Sequence, residues 1–379
     1  MKRILYIGGF ELPDKNAAAQ RVISNGKALR SLGHDVMFVG LTKSVPKSFR
    51  YQNFECREIV YPEGKRAWIS FLLSIREESK FIEEYNPDVL ILYNYPAFKF
   101  LFLKNKYKNK IIIADVTEWY EASGLSLFST IKRLDVWLRM KIIHPRINGL
   151  IVISDYLEAY YKNKVKKVIN IPPLVDVDEE KWKSEKKQIS MESYNLVYAG
   201  SPGAGNKDRL DLLISALEKV RIQTGKDIHI DIIGLTKQQY IINFGKAPIE
   251  NLSAAYIHFH GRVSHSAALE YVKNADYSIF LRNNNLTNTA GFPTKFVESI
   301  TAGTPVLTNA SSNISDYFVK HSEIGYLIPS LAEADIASGI ELAVSNSKEE
   351  VYRMKEYCSK SNLFFYNRYE KDFKDLLDG

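Results

Sequence analysis

The residues best suited to chemistry lie in one stretch, from Asn288 to Asn309, which holds one cation and one carboxylate. Lys295 and Glu298 stand three residues apart, so a helix starting near Thr294 presents them on nearly the same face. Gly303 is suited to end that helix. Such a helix offers an ammonium and backbone amides to a phosphate, and a carboxylate to the hydroxyls of a ribose. The alternative is a surface ion pair between Lys295 and Glu298, worth only about 0.3 kcal/mol.

Two predicted strand-to-helix turns are rich in glycine. The first is Gly8-Gly9. The second comprises Gly200, Ser201, Pro202, Gly203, Ala204 and Gly205. Turns without bulky side chains let backbone amides approach an anion, and Lys207 follows the second turn closely enough to reach a diphosphate. The alternative is that these glycines only make tight turns, since neither turn matches a dinucleotide or P-loop motif.

Acidic and aromatic residues follow the predicted strand at 111–114, namely Asp115, Glu118 and Trp119. At the carboxyl end of a strand, such residues suit the stacking of a sugar ring and the binding of its hydroxyls. The alternative is a helix cap beside a buried Trp119. No histidine has the spacing of a metal site, and we expect His258 and His260 to be structural.

The composition is that of a soluble globular protein, with 45% hydrophobic and 25% charged residues in 379. This length suggests two α/β domains. The apolar runs are too short to span a bilayer, and the first residues do not resemble a secretory signal. Because the two cysteines are far apart in the sequence, we do not expect a disulfide framework, and we expect a cytoplasmic location.

The net charge of +7 is unevenly spread. Residues 1–170 hold 28 Lys and Arg against 17 Asp and Glu, and the remainder holds 23 against 27. A basic half could face nucleic acid, an anionic membrane or a phosphorylated substrate, or could be an ordinary solvated surface. No nucleic-acid-binding module is visible, so no nucleic-acid partner is predicted.

Short β-rich runs alternate with helical patterns along the chain, which predicts parallel sheets covered by helices. Strands are predicted at 4–7, 35–39, 89–93, 111–114, 150–153 and 168–171, then at 195–199, 229–233, 257–260, 277–281 and 305–308. The main predicted helices cover 17–32, 68–85, 129–144, 208–220, 266–274 and 295–302. The fold class is therefore α/β, with two Rossmann-like domains facing a central cleft at the carboxyl ends of their strands.

The domain boundary is predicted at Pro172-Pro173, because prolines disfavour helix and the charged residues after them cannot form a core. We predict an N-terminal domain over 1–172, a linker over 173–190 and a C-terminal domain over 191–349. A C-terminal helix, about 350–379, is expected to pack back on the first domain.

Four segments resemble the retaining, nucleotide-sugar-dependent glycosyltransferases of the GT-B fold, family-four type, also described as glycosyl transferases group 1. They are Gly8-Gly9, residues 197–207, residues 259–264 with Tyr271 and Asp276, and Glu298 with residues 302–306. The resemblance covers most of the chain. It implies an enzyme of hexosyltransferase type that needs no metal or other cofactor and retains configuration. It also implies that the N-terminal domain lies on the acceptor side and that the C-terminal domain binds the nucleotide sugar. The loop at Asp115, Glu118 and Trp119 would contact the acceptor or the transferred sugar.

The chain departs from that family at two positions. The first glutamate of the E-x7-E signature is Ala290, so we expect backbone amides at Gly291 and Phe292 to serve the donor sugar instead. The arginine that often follows the glycine of the phosphate loop is Ser201. Lys295 or Arg282 is expected to take its place. Lys207, Lys295 and the amides of residues 200–205 are thus assigned to the diphosphate, and Glu298 to the ribose. Gly8, Gly9 and Thr294 are also assigned to the donor.

On this interpretation we expect the acceptor to be a glycan or a lipid-linked molecule, as in surface polysaccharide biosynthesis. Residues 65–73 and 95–110 mix basic and aromatic side chains, which suits helices at an anionic membrane surface, on the inner face of the plasma membrane. The alternative is core-facing helices flanked by solvated lysines. Two other functions stay open: a nucleotide-sugar epimerase on the same scaffold, and a non-catalytic partner subunit.

Overall fold

The computed structural model describes residues 1–13, 15–119, 127–183, 192–202, 207–245 and 255–378. The described chain divides into two compact units. The first comprises Met1–Asp176, Ala290–Phe292 and Phe364–Gly379, and the second comprises Val177–Thr289 and Pro293–Leu363. The boundary therefore lies four residues after the predicted one, and short later segments return to the first unit.

The first unit is built on an eight-stranded sheet of order β3-β4-β2-β1-β5-β6-β7-β8, parallel except for the edge strand β3. Its strands are β1 (Arg3–Gly8), β2 (Asp35–Thr42), β3 (Ser48–Tyr51), β4 (Phe54–Val60), β5 (Val89–Tyr93), β6 (Ile111–Val116), β7 (Gly149–Val152) and β8 (Val168–Asn170). Its helices are α1 (Ala17–Ser31), α2 (Gly64–Leu73), α3 (Arg76–Tyr85), α4 (Ala97–Lys106), α5 (Leu127–Trp137) and α6 (Asp155–Tyr161). The central strands are continuous apolar runs because helices cover both faces of a parallel sheet.

The second unit repeats this architecture with a six-stranded parallel sheet of order β11-β10-β9-β12-β13-β14. Its strands are β9 (Tyr194–Ala199), β10 (Ile228–Ile233), β11 (Ile257–Gly261), β12 (Tyr277–Phe280), β13 (Val306–Asn309) and β14 (Gly325–Ile328). Its helices are α7 (Leu210–Thr224), α8 (Lys237–Phe244), α9 (His265–Asn274), α10 (Leu286–Ala290), α11 (Thr294–Thr301), α12 (Ser315–Lys320), α13 (Glu333–Ser345) and α14 (Lys348–Ser361), while the last helix, α15 (Glu370–Leu377), packs with the first unit. The predicted α/β class and two Rossmann-like domains are confirmed.

Two predicted helices are each broken in the structure. The helix expected over 68–85 is interrupted by Ser74, whose backbone is extended and whose side chain accepts a bond from Arg76 N at 3.2 Å. The C-terminal helix ends at Asn362 in the left-handed conformation, and only the residues after Leu363 pack on the first unit. The prediction that the whole of 350–379 does so is wrong, because α14 buries Val351, Met354 and Cys358 in the second unit.

Candidate active site

A cluster of charged side chains lies beyond the carboxyl ends of β9 and β12 in the second unit. Asp208 is buried and forms ion pairs with the ammonium of Lys295 and, at 3.6 Å, with Nε of Arg282. The hydroxyl of Tyr198 donates to the same carboxylate at 2.7 Å. Burial, and then the Asp208 carboxylate, hold the pKa of Tyr198 well above its usual value, so this phenol stays neutral. Lys295 and Arg282 are thus held together by one carboxylate.

Gly200 provides the space that Lys295 occupies. Its φ is +147°, and a β-carbon there would lie 2.2 Å from Cε of Lys295. On another side, the Lys295 ammonium lies 4.8 Å from the centre of the Tyr198 ring. Gly200 itself is packed tightly, because a β-carbon on Gly234 would lie 2.4 Å from its carbonyl oxygen. The glycine turn therefore admits a lysine side chain, in addition to any anion that its amides bind.

Backbone pairing sets Lys207 beside Arg282. Asp208 and Arg282 form an antiparallel bridge, and Asn283 N donates to the carbonyl of Lys207 at 3.2 Å. The side chain of Asn309 fixes Arg282 by accepting from its N–H at 2.8 Å and donating to its carbonyl at 3.0 Å. The structure therefore brings together the side chains of Arg282 and Lys295 and the backbone of Lys207, and we call these three residues the cation cluster. Ser201 is exposed, and Gly203 lies outside the described residues.

On helix α11, Glu298 does not form the surface ion pair with Lys295 that was the alternative expectation. Lys295 turns to Asp208, whereas Glu298 Oε1 lies 3.2 Å from Nε2 of His265, the first residue of α9. The Lys295–Glu298 ion pair is therefore not formed. Both Glu298 and His265 keep part of their side chains exposed. Thr294 begins α11 and is half-buried.

Residues 290–292 pack in the first unit, although their neighbours on both sides belong to the second. Ser154 donates its hydroxyl to the carbonyl of Ala290 at 2.7 Å, and the ring of Phe292 meets that of Phe364 edge to face. Gly291 and Phe292 are buried. The structure thus gives this segment a packing role, and the prediction that its amides serve the donor sugar stays a prediction.

A cavity of about 500 Å³ opens at the carboxyl edge of the first sheet. Gly8, Gly9 and the start of α1 line one side of it, and Thr117 and Glu118 line another. The aromatic part of its wall comprises Tyr61, Trp68, Phe71, Tyr93 and Tyr95. Gly8 is required by packing, since a β-carbon there would lie 2.5 Å from the carbonyl oxygen of Tyr93, whereas Gly9 faces open space.

The three residues of the predicted acceptor loop have different surroundings in the structure, and the expectation for Asp115 is corrected. Asp115 is completely buried, and Arg21 donates to it from both Nε and Nη2 at 2.8 to 3.1 Å. It is a structural counter-ion and does not face an acceptor. Trp119 also lies away from the cavity lining and packs on Tyr160, with ring centres 4.8 Å apart. Of the three predicted residues, only Glu118 lines the cavity.

The basic-aromatic segments are partly core and partly surface. Lys99 is buried in an ion pair with Glu78, and its ammonium lies 3.5 Å from the centre of the Phe71 ring. Helices α2 and α4 pack together, as do α4 and α5, and each carries large apolar side chains exposed at helical spacing. This apolar patch comprises Ile69, Leu73, Phe98, Phe102, Ile131, Leu134 and Trp137. No described helix is long and apolar enough to cross a membrane.

Sequence reasoning missed Asp208, Tyr198 and His265. In the sequence, Asp208 directly follows Lys207 and resembles an ordinary residue at the start of a helix. Its ion pair with Lys295 of α11 becomes visible only in the fold. His260 bonds Asp231 at 2.6 Å, and His258 stacks on His229, as expected for structural histidines. Within the described residues, no three His, Cys, Asp or Glu side chains gather in a way that could hold a metal ion.

Residues 180–361 match the family model described as glycosyl transferases group 1. This match spans the unit that holds the cation cluster and Glu298. No curated protein matches the chain in sequence.

Many solved structures share the whole fold at low sequence identity. Sucrose-phosphate synthase from Thermosynechococcus elongatus aligns with a TM-score of 0.74 and 14% identity, over 99% of this chain and 98% of its own. WaaG, a glycosyltransferase involved in lipopolysaccharide biosynthesis, aligns with 0.65 and 14%, over 99% and 100%. HepE from Anabaena, solved with UDP and glucose, aligns with 0.69 and 13%, over 100% of both chains. The second unit therefore matches the model of the group 1 glycosyl transferases, and the whole chain shares its fold with these three solved structures. Together the two findings identify the chain as a glycosyltransferase of the GT-B fold.

Proposed function

We propose that this glycosyltransferase takes its sugar from a nucleotide-diphosphate sugar bound at the cation cluster. The observation that carries the proposal is the placement of Lys295 and Arg282, both partly exposed, beside the backbone of Lys207 at the carboxyl edge of the second sheet. Open α/β sheets bind ligands at that edge. Glu298 lies on the same helix as Lys295 and its side chain is partly exposed, so we assign it to the ribose hydroxyls of the same ligand.

The cations would act mainly on the leaving group. As the bond from the anomeric carbon to the diphosphate breaks, negative charge develops on the β-phosphate and the sugar becomes oxocarbenium-like. Fixed cations and amides aimed at that phosphate stabilise the transition state more than the ground state. Lys207, Lys295 and Arg282 would supply this charge without a metal ion. Retention of configuration is proposed from the family resemblance alone.

The acceptor is proposed to bind in the cavity of the first unit. Its aromatic wall suits the face of a sugar ring, and the hydroxyl of Thr117 and carboxylate of Glu118 suit sugar hydroxyls. A glycan or lipid-linked sugar fits this chemistry. Gly8 and Gly9, assigned above to the donor, line the same cavity and would contact the sugar that is transferred.

A membrane-bound acceptor would explain the apolar patch. Exposed apolar side chains on three packed helices, with Lys65, Arg66 and Arg76 exposed on α2 and α3, are the composition of an interfacial surface. We therefore propose a peripheral association with anionic lipid and a role in surface polysaccharide biosynthesis. WaaG, which shares the fold, is involved in lipopolysaccharide biosynthesis.

The donor is tested by thermal shift against nucleoside diphosphates and their sugars, beginning with UDP and UDP-glucose because HepE was solved with UDP and glucose. Binding to the native state raises the midpoint. Lys295→Met is expected to abolish the shift, whereas Lys219→Met, which removes an exposed lysine of α7 in the same unit, should leave it unchanged. A wild-type protein that responds to none of these ligands contradicts the proposal.

Turnover separates the two other functions. A nucleotide-sugar epimerase converts its donor with no second substrate, so the donor incubated alone would change its sugar. A non-catalytic subunit would give neither a midpoint shift nor transfer. The cation cluster favours transfer over the second alternative, because a subunit without a ligand has no need of partly exposed, converging cations.

A further inference from the structure

We propose that Asp208 limits the charge of the donor site, so that the nucleoside diphosphate product leaves rather than staying bound. The inference rests on the proposed function of the cation cluster. It concerns a carboxylate that the sequence did not single out, and it gives that carboxylate a role in turnover in addition to its role in packing.

The geometry places Asp208 behind the cations. Its side chain is 4% exposed, against 19% for Lys295 and 13% for Arg282. A ligand at the carboxyl edge would therefore contact the cations, while the carboxylate holds them from the protein side. Tyr198 donates to the same carboxylate, so Asp208 is bonded on three sides and cannot swing toward the ligand.

The charges decide what this arrangement does. Arg282 and Lys295 bring two positive charges to Asp208, and the Lys207 ammonium assigned to the diphosphate brings a third, so that Asp208 reduces their sum to two. A nucleotide-diphosphate sugar carries about two negative charges, because both of its phosphates are esterified. The released nucleoside diphosphate has a free terminal phosphate with a second pKa near 6, so it approaches three negative charges at pH 7.

Without Asp208, the site would match the product better than the substrate. An extra positive charge would stabilise the more highly charged ligand more strongly, since Coulomb energy scales with the product of the charges. With Asp208 present, the summed charge of the groups assigned to the diphosphate matches the charge of the donor's diphosphate, while Glu298 is assigned to the ribose. Asp208 is thus a positioning residue for Lys295 and Arg282 that also weakens the hold on the product.

The test is the affinity of the nucleoside diphosphate for Asp208→Asn, measured by calorimetry with the base that the wild-type protein binds. The substitution keeps an oxygen for the Tyr198 hydroxyl and removes the charge. Product affinity is expected to rise about tenfold, with a smaller gain for the donor and a lower kcat. Asp227→Asn removes a charge at the opposite, amino edge of the same sheet and should change neither affinity.

A double-mutant cycle separates charge from packing. If Asp208 acts through Lys295, the gain in product affinity seen for Asp208→Asn should largely vanish when Lys295→Met is added. Asp208→Ser removes the same charge and carries the same expectation if the asparagine variant does not fold. Unchanged or weaker product binding in a folded charge-removed variant overturns the inference. A wild-type protein that binds no nucleoside diphosphate would instead contradict the proposed function.

Discussion

The side chain of Lys295 lies against the α-carbon of Gly200, at the place where any other residue would carry its β-carbon. This relationship joins the glycine turn after β9 to the helix that carries the predicted cation. It shows that the turn and the lysine, which the sequence places far apart, form one structure. It also makes the glycine testable separately from the lysine.

Gly200→Ala should therefore abolish most activity by displacing Lys295. A β-carbon at this position both clashes and requires an unfavourable φ, which costs about 1 to 3 kcal/mol of stability. We expect kcat to fall about a hundredfold, as for the loss of one transition-state donor. Gly225→Ala is the matched control, because Gly225 also has a positive φ but faces open space at the end of α7. Equal activity losses in both variants would mean that backbone strain alone is responsible.

Asp115→Asn should act on stability. The substitution leaves the Arg21 guanidinium buried beside a neutral group, and breaking a buried pair from one side costs about 3 to 5 kcal/mol. Urea unfolding measures this change. Glu118→Gln, in the cavity wall, should leave unfolding unchanged and raise KM for the acceptor. A stable Asp115→Asn protein with poor acceptor binding would restore the sequence-based interpretation.

Strands and the cation-bearing helix could be predicted because apolar runs and helical periodicity are local signals. The edge strands β3 and β14 and the neighbouring strand β4 were missed, since short strands with polar faces resemble loops. The site was only partly predictable for a different reason. Lys295 and Glu298 stand in a recognisable pattern, but Asp208 and His265 become their partners only when strands β9 to β12 assemble into one sheet. Asp115 shows the converse. Its position at the end of a strand predicted contact with a ligand, but in the structure it is buried in an ion pair with Arg21.

Acidic conditions should destabilise the first unit through His144. This imidazole is buried against Tyr161, whose hydroxyl lies 2.8 Å from Nδ1, and burial lowers its pKa to about 3. The unfolded chain binds a proton near pH 6.5 and the folded chain does not, so stability is full above pH 6.5 and falls as the pH drops toward 3. Between pH 7.5 and 5 the loss is about 2 kcal/mol. The same loss in His144→Gln would show that other groups cause it.

Liposome co-sedimentation should show binding through the apolar patch. Leu73 at the end of α2 and Phe102 line one groove between α3 and α4, so the double substitution Leu73→Glu and Phe102→Glu places two carboxylates on the patch. Binding to vesicles with anionic lipid is expected to fall about tenfold. Ile222→Glu and Ile242→Glu, at exposed apolar positions of the second unit, form the control pair. No binding by the wild-type protein at low salt removes the membrane proposal.

Glu298 and His265 should differ in what they do for the donor. If the Glu298 carboxylate grips the ribose, Glu298→Gln weakens a charge-assisted bond, and the donor's kcat/KM should fall about tenfold or more. His265→Asn removes only a partner that orients the carboxylate, so it should cost about threefold. Steady-state kinetics with a ribonucleotide donor and its 2′-deoxy analogue give a specific readout. The wild-type protein should prefer the ribonucleotide, and Glu298→Gln should lose that preference because the 2′-hydroxyl no longer meets a carboxylate. A variant that keeps the full preference would place the ribose elsewhere, and Glu298 would then be a structural partner of His265.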